Sequence, residues 1–125
     1  MNNTHTILLV EDENQQRDAL TMLLEADGYQ VQSMSSAEGA LEELPSIQPA
    51  LFISDVKLTG MDGFSFFNEV RNQPSYKNIP FIFISAYNDT KAIDLVKMNN
   101  HVDYITKPYN LEDFIAVVKK YLPST

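Results

Sequence analysis

Apolar positions along the chain fall into two alternating rhythms. Short β-branched, aliphatic and aromatic runs have the length of strands: Ile7-Leu8-Leu9-Val10, Tyr29 to Met34, Leu51-Phe52-Ile53, Phe81-Ile82-Phe83-Ile84 and Tyr104-Ile105. Between them the spacing widens to that of a helix. Ala37, Ala40, Leu41 and Leu44 fall at i, i+3, i+4 and i+7, as do Leu111, Phe114, Ile115 and Val118, so each set makes one apolar face. Leu20, Leu23 and Leu24 do the same in the first helix, which Gly28 is placed to close as a left-handed cap. A third helix is predicted from about Phe64 and a fourth from about Thr90.

Strict alternation of strands and helices argues for parallel strands joined by right-handed crossovers, with helices on both faces of one sheet. The class is α/β. Strands buried on both sides should read as nearly continuous apolar runs, as Phe81 to Ile84 does. With 125 residues and no repeat, linker or low-complexity stretch, a single domain over residues 1–125 is expected, with the fold in about 5–122 and short tails. Pro123 is placed to end the last helix.

Composition narrows the function classes. Hydrophobic residues make up 44% and charged residues 21%, the balance of a packed globular protein and not of a disordered one. Cysteine is absent, which excludes disulfides and thiolate zinc sites. No apolar run is long enough to span a bilayer, and the first five residues, with no basic stretch followed by an apolar run, do not read as a secretory signal, so a cytoplasmic setting without membrane insertion is expected. A formal net charge of -8 disfavours direct binding to nucleic acid.

In open α/β sheets the ligand site lies beyond the carboxyl ends of the strands. Here those ends run into Glu11-Asp12, Asp55, Ser85 and Lys107-Pro108. Each has an ordinary reading alone: Asp12 as a helix cap, Glu11 as its solvated neighbour, Asp55 or Ser85 as turn residues, Lys107 as an exposed charge. Together they say more. If the first and third strands are neighbours, about 4.8 Å apart, three carboxylates converge and repel, and proton uptake or a hard cation such as Mg²⁺ would relieve them. A carboxylate beside Mg²⁺, a hydroxyl and an ammonium has the nucleophile and the charge stabilisation that phosphoryl transfer requires.

Glu11-Asp12, Asp55, the loop Lys57-Leu58-Thr59-Gly60-Met61-Asp62-Gly63, Ser85-Ala86 and Thr106-Lys107-Pro108 together resemble the receiver domains of two-component response regulators, over nearly the whole chain. The resemblance implies a flavodoxin-like (βα)5 fold with strand order 2-1-3-4-5. It implies that Asp55 accepts a phosphoryl group from a sensor histidine kinase or a histidine phosphotransfer protein, with Lys107 and Ser85 contacting the phosphoryl oxygens. It implies Mg²⁺ held directly by Asp12 and Asp55, through water by Glu11, and by the main-chain carbonyl of Lys57. It also implies a switch in which Ser85 and Tyr104 alter a surface of the fourth helix, fifth strand and fifth helix for an output partner or domain. Catalysis would be limited to the domain's own phosphorylation and slow dephosphorylation. Lys57 and Tyr87, flanking the site, are expected to tune hydrolysis: Tyr87 by obstructing water, and Lys57 either by obstructing water or by attracting and orienting it.

Departures from the family pattern are few. Thr59 stands where proline is common, and Asn100-His101 where Gly-Ala is usual; neither is expected to touch the chemistry, and Asn100 is expected to close the fourth helix in the left-handed conformation. Val102 replaces a frequent acidic residue, which weakens the case for the dimer typical of transcription-factor receivers. Three other readings fit less well. A haloacid-dehalogenase-type phosphatase needs a second Asp two residues after a nucleophile on the first strand, and a phosphate-blind module would lose Asp55 or Lys107. A histidine phosphotransfer module needs an acceptor on an exposed helix face, whereas His5 lies in the tail and His101 beside a strand, as ordinary polar residues.

Overall fold

The computed structural model describes residues 6–123; His5 and the last two residues lie outside them. Strands and helices alternate: β1 (Thr6–Val10), α1 (Asn14–Ala26), β2 (Gln30–Met34), α2 (Ala37–Ile47), β3 (Leu51–Asp55), α3 (Gly63–Arg71), β4 (Phe81–Ala86), α4 (Thr90–Met98), β5 (Val102–Lys107) and α5 (Leu111–Tyr121). All neighbouring strands pair in parallel, in the order β2-β1-β3-β4-β5. A 3-10 turn at Pro74–Tyr76, not anticipated from the periodicity, precedes β4.

Side-chain caps start four of the five helices. Ser36, Asp62, Asp89 and Asn110 accept hydrogen bonds from the N–H groups of Gly39, Ser65, Ala92 and Asp113, each satisfying a donor that the first helical turn leaves free. Only α1 lacks such a cap: its N-cap residue is Glu13, whose side chain makes no capping bond, and Asp12 before it is engaged with Thr59. Gly28 ends α1 as expected, at φ 97° with its N–H donating to Glu25 O. The expectation for Asn100 is not met. Asn99 closes α4 in extended backbone, its side-chain amide donating to Leu95 O, and His101 takes the left-handed conformation at φ 63°. From there the His101 carbonyl accepts from Phe81 N–H and feeds the chain into β5 beside β4.

Two apolar layers sandwich the sheet. On one side α1 and α5 place Leu20, Leu24, Phe114 and Val118 against Ile7, Leu9, Ile53 and Ile84. The other side, under α2, α3 and α4, is aromatic. Phe81 has the rings of Phe52, Phe66, Phe67 and Phe83 at centroid distances of 4.8–5.7 Å, the range of favourable offset and edge contacts. β1 and β3 are buried from Ile7 and Leu51 to their ends, and β4 through Ser85. β2 departs from the expectation of burial on both faces: Gln30, Gln32 and Ser33 are exposed because the strand lies at the sheet edge. At the opposite edge β5 is longer than its apolar pair Tyr104-Ile105 suggests, since the ladder to β4 runs from Val102 through Lys107.

The loop after β3 returns tightly. Gly63 N–H donates to Val56 O at 2.8 Å, and a Cβ at Gly63 would lie 2.8 Å from Val56 Cα and closer still to the Asp55 carbonyl oxygen. This brings the start of α3 against the end of β3.

Candidate functional site

Strand register assembles the site. Val10 pairs with Ser54, which sets Glu11 beside Asp55; Asp55 pairs with Ile84 and Ala86 with Lys107, so the polar ends of four elements meet at one edge. Carboxylate oxygens of Glu11, Asp12 and Asp55 lie within 4.8 Å of one another. Lys107 Nζ donates to Asp55 Oδ2 at 2.9 Å. Asp55, Ser85 and Lys107 line a cavity of about 490 Å³ together with Lys57, Tyr87 and Asp89.

Burial makes this cluster electrostatically tense. Glu11 is 2% exposed; its N–H donates to Met34 O, which ties it to β2, and its Oε2 accepts from Glu13 N–H. Its Oε1 is buried with no hydrogen-bond partner, as is Ser85 Oγ. Loss of solvation, then the neighbouring Asp55 charge, pushes the Glu11 carboxyl up to about 7, against the opposing pull of the Glu13 N–H and Lys107. For Lys107 burial works against the ammonium, but the hydrogen bond and charge of Asp55, with Glu11 behind it, prevail and raise its pKa. Three carboxylates thus face one ammonium, and a hard divalent cation with oxygen ligands suits what remains.

The remaining residues singled out from the sequence lie around this centre. Lys57 is exposed at the cavity wall, and Tyr87 lines the same cavity while 76% of its surface meets solvent. Tyr104 is half-buried against the aromatic layer, on the strand that carries Lys107. Thr59, a family departure expected to stay clear of the chemistry, reaches the acidic cluster. Its N–H and hydroxyl both donate to Asp12 Oδ2, at 2.8 and 3.0 Å. A loop residue's reach across 47 positions depends on backbone path, so no periodicity or turn signal could have announced it.

The family model described as the response regulator receiver domain matches residues 7–119. The chain belongs to this family. It is therefore a signalling domain of two-component systems, whose members switch in response to phosphorylation. This receiver domain is 34% identical over 115 residues to an uncharacterized 14.6 kDa protein in the sodA1 3' region of Leptolyngbya boryana, covering 92% of this chain and 88% of that one. It is 34% identical to the transcriptional regulatory protein CssR of Bacillus subtilis over 95% of this chain but 52% of the regulator. The receiver domain spans about half the length of such transcriptional regulators. The response regulator protein TrrA of Thermotoga maritima, solved in complex with Mg²⁺-BeF, superposes with a TM-score of 0.81 at 27% identity, covering 95% of this chain and all of that one. No described helix is long and apolar enough to cross a membrane.

Proposed function

We propose that Asp55 is the phosphoryl acceptor and that Mg²⁺ is the cofactor. The observation that carries this reading is the convergence of three carboxylates within 4.8 Å, two of them almost fully buried, against a single ammonium. The donor set is all oxygen and includes an orphaned buried oxygen on Glu11, which fits Mg²⁺ and not a softer metal. Asp12 and Asp55 would hold the ion directly, Glu11 through water, and the Lys57 carbonyl as a further ligand. Bound there, Mg²⁺ neutralises charge on the transferring phosphoryl oxygens.

The protein's own groups supply the rest. An Asp55 oxygen attacks phosphorus of a phosphohistidine on a sensor kinase or phosphotransfer protein; the O–P bond forms, the P–N bond breaks, and its electron pair returns to the imidazole. Lys107, released from the carboxylate oxygen, follows the negative charge to the phosphoryl group. Ser85, with its hydroxyl unpartnered, donates to another phosphoryl oxygen. Its displacement opens room for Tyr104, which couples the site to the α4-β5-α5 surface and an output protein or domain. Water attack on the acyl phosphate resets Asp55 and releases inorganic phosphate, and Tyr87 and Lys57 at the cavity wall slow that attack. Residues 1–125 form one such unit, acting in the cytoplasm and not on nucleic acid itself.

Intact-mass analysis after incubation with acetyl phosphate and Mg²⁺ tests the assignment. Wild type gains one acid-labile phosphoryl group and Asp55→Asn gains none; an equal gain in the variant overturns it.

A further inference from the structure

We infer that Thr59 is a positioning residue for the metal site, holding one oxygen of Asp12 so that the other is presented to the cation; this rests on the Mg²⁺ reading above. Asp12 Oδ2 accepts from both the N–H and the hydroxyl of Thr59, and these are the only hydrogen bonds Asp12 makes among the described residues. Two donors converging on one oxygen fix the carboxylate plane. They also leave the lone pairs of Oδ1 free for a ligand bond, the arrangement by which outer-shell donors orient ligating carboxylates.

Donors on an exposed loop would be poor anchors if the loop were free, but this one is fixed on its far side. Met61 N–H donates to Glu38 Oε2 at 2.9 Å, Asp62 caps α3, and Gly63 N–H closes onto Val56 O. Thr59 therefore sits on a frame held by α2, α3 and β3, while Asp12 projects from the loop after β1. Its own side chain is exposed, which removes a core-packing role as the reason for its identity. A proline there would carry neither donor, because its nitrogen has no hydrogen and its ring no hydroxyl. The departure from the common family residue thus adds two donors to a ligand that would otherwise lack them.

Calorimetric Mg²⁺ titration of metal-free wild type, Thr59→Val, Thr59→Ala, Thr59→Ser and Asp12→Ala tests the inference, with near-UV circular dichroism to follow the fold. Thr59→Val and Thr59→Ala, which keep the N–H and lose the hydroxyl, are expected to bind about tenfold more weakly, and Thr59→Ser, which keeps both donors, within about twofold of wild type. Wild-type or tighter affinity in both hydroxyl-free variants overturns it, as does a Thr59→Ser loss equal to theirs. If Asp12→Ala loses Mg²⁺ while the hydroxyl-free variants do not, only the role of Thr59 fails. If Asp12→Ala binds like wild type, the metal-site reading fails and takes the inference with it.

Discussion

Phe81, at the start of β4, and Glu11, just past the end of β1, lie toward opposite ends of the parallel strands, at 0% and 2% exposure, and they load the fold in opposite ways. Around Phe81 four other rings replace water with close apolar contacts, so burial there is favourable from every side. Around Glu11 burial strips a carboxylate of solvent, leaves one oxygen without a donor and sets a second carboxylate beside it. The aromatic layer supplies stability that the acidic edge spends on chemistry. Violations of the burial rule gather at the proposed metal and phosphoryl site, which is the pattern expected of a functional site.

The largest effect should come from breaking the favourable half. Phe81→Ala is expected to lose about 3–5 kcal/mol of stability through lost transfer energy and a residual cavity, read by urea unfolding. A loss under about 1 kcal/mol would mean the layer collapses to refill the space.

A smaller effect should come from relieving the unfavourable half. The Glu11 carboxyl has its pKa raised from 4.5 to about 7 in the folded chain, so its protonated form favours folding. That contribution is present below about pH 4.5 and is lost as pH rises through about 7. In chelator, Glu11→Gln should therefore gain on wild type by about 2–3 kcal/mol between pH 4.5 and pH 8, measured by denaturant unfolding at each pH. A constant gap across that window would show that Glu11 is not under strain.

The smallest effect belongs to a polar pair that is satisfied. Tyr121 Oη donates to Asp103 Oδ2 at 2.9 Å, and burial, then that hydrogen bond, pushes the phenol up to about 12. Tyr121→Phe should cost about 0.5–1.5 kcal/mol and leave Mg²⁺ affinity unchanged, which calorimetry would check. A change in affinity would extend the coupled network well beyond the strand ends.

Sequence alone carried the alternation of strands and helices, because the central strands and the helix faces bury what the pattern says they bury. It also carried the strand-end residues, since Glu11, Asp12, Asp55, Ser85 and Lys107 are polar where apolar runs stop. The edges were less legible. β2 and β5 each pair on one side only, so Gln30, Gln32 and Ser33 stay exposed within a strand whose run reads as buried, and Thr106 and Lys107 extend β5 past its apolar pair. Left-handed conformation at His101 in place of Asn100 follows from where the β4–β5 ladder starts, a tertiary constraint that overrides residue preference. The Thr59–Asp12 contact depends on two loops meeting in space, and burial of Glu11 depends on what covers it.

Close approach at Gly63 has a consequence for mutational freedom. Any side chain there would press on Val56 and on the Asp55 main chain, shifting the strand end that carries the proposed acceptor. Exposed neighbours such as Lys57 and Thr59 meet no such obstacle, so on the proposed function metal affinity or phosphoryl lifetime can be retuned there while the frame stays put. The loop therefore divides into exposed positions that variation can explore and the glycines Gly60, at φ 82°, and Gly63, which it cannot replace without strain, and on the proposed function any tuning of timing is confined to the former.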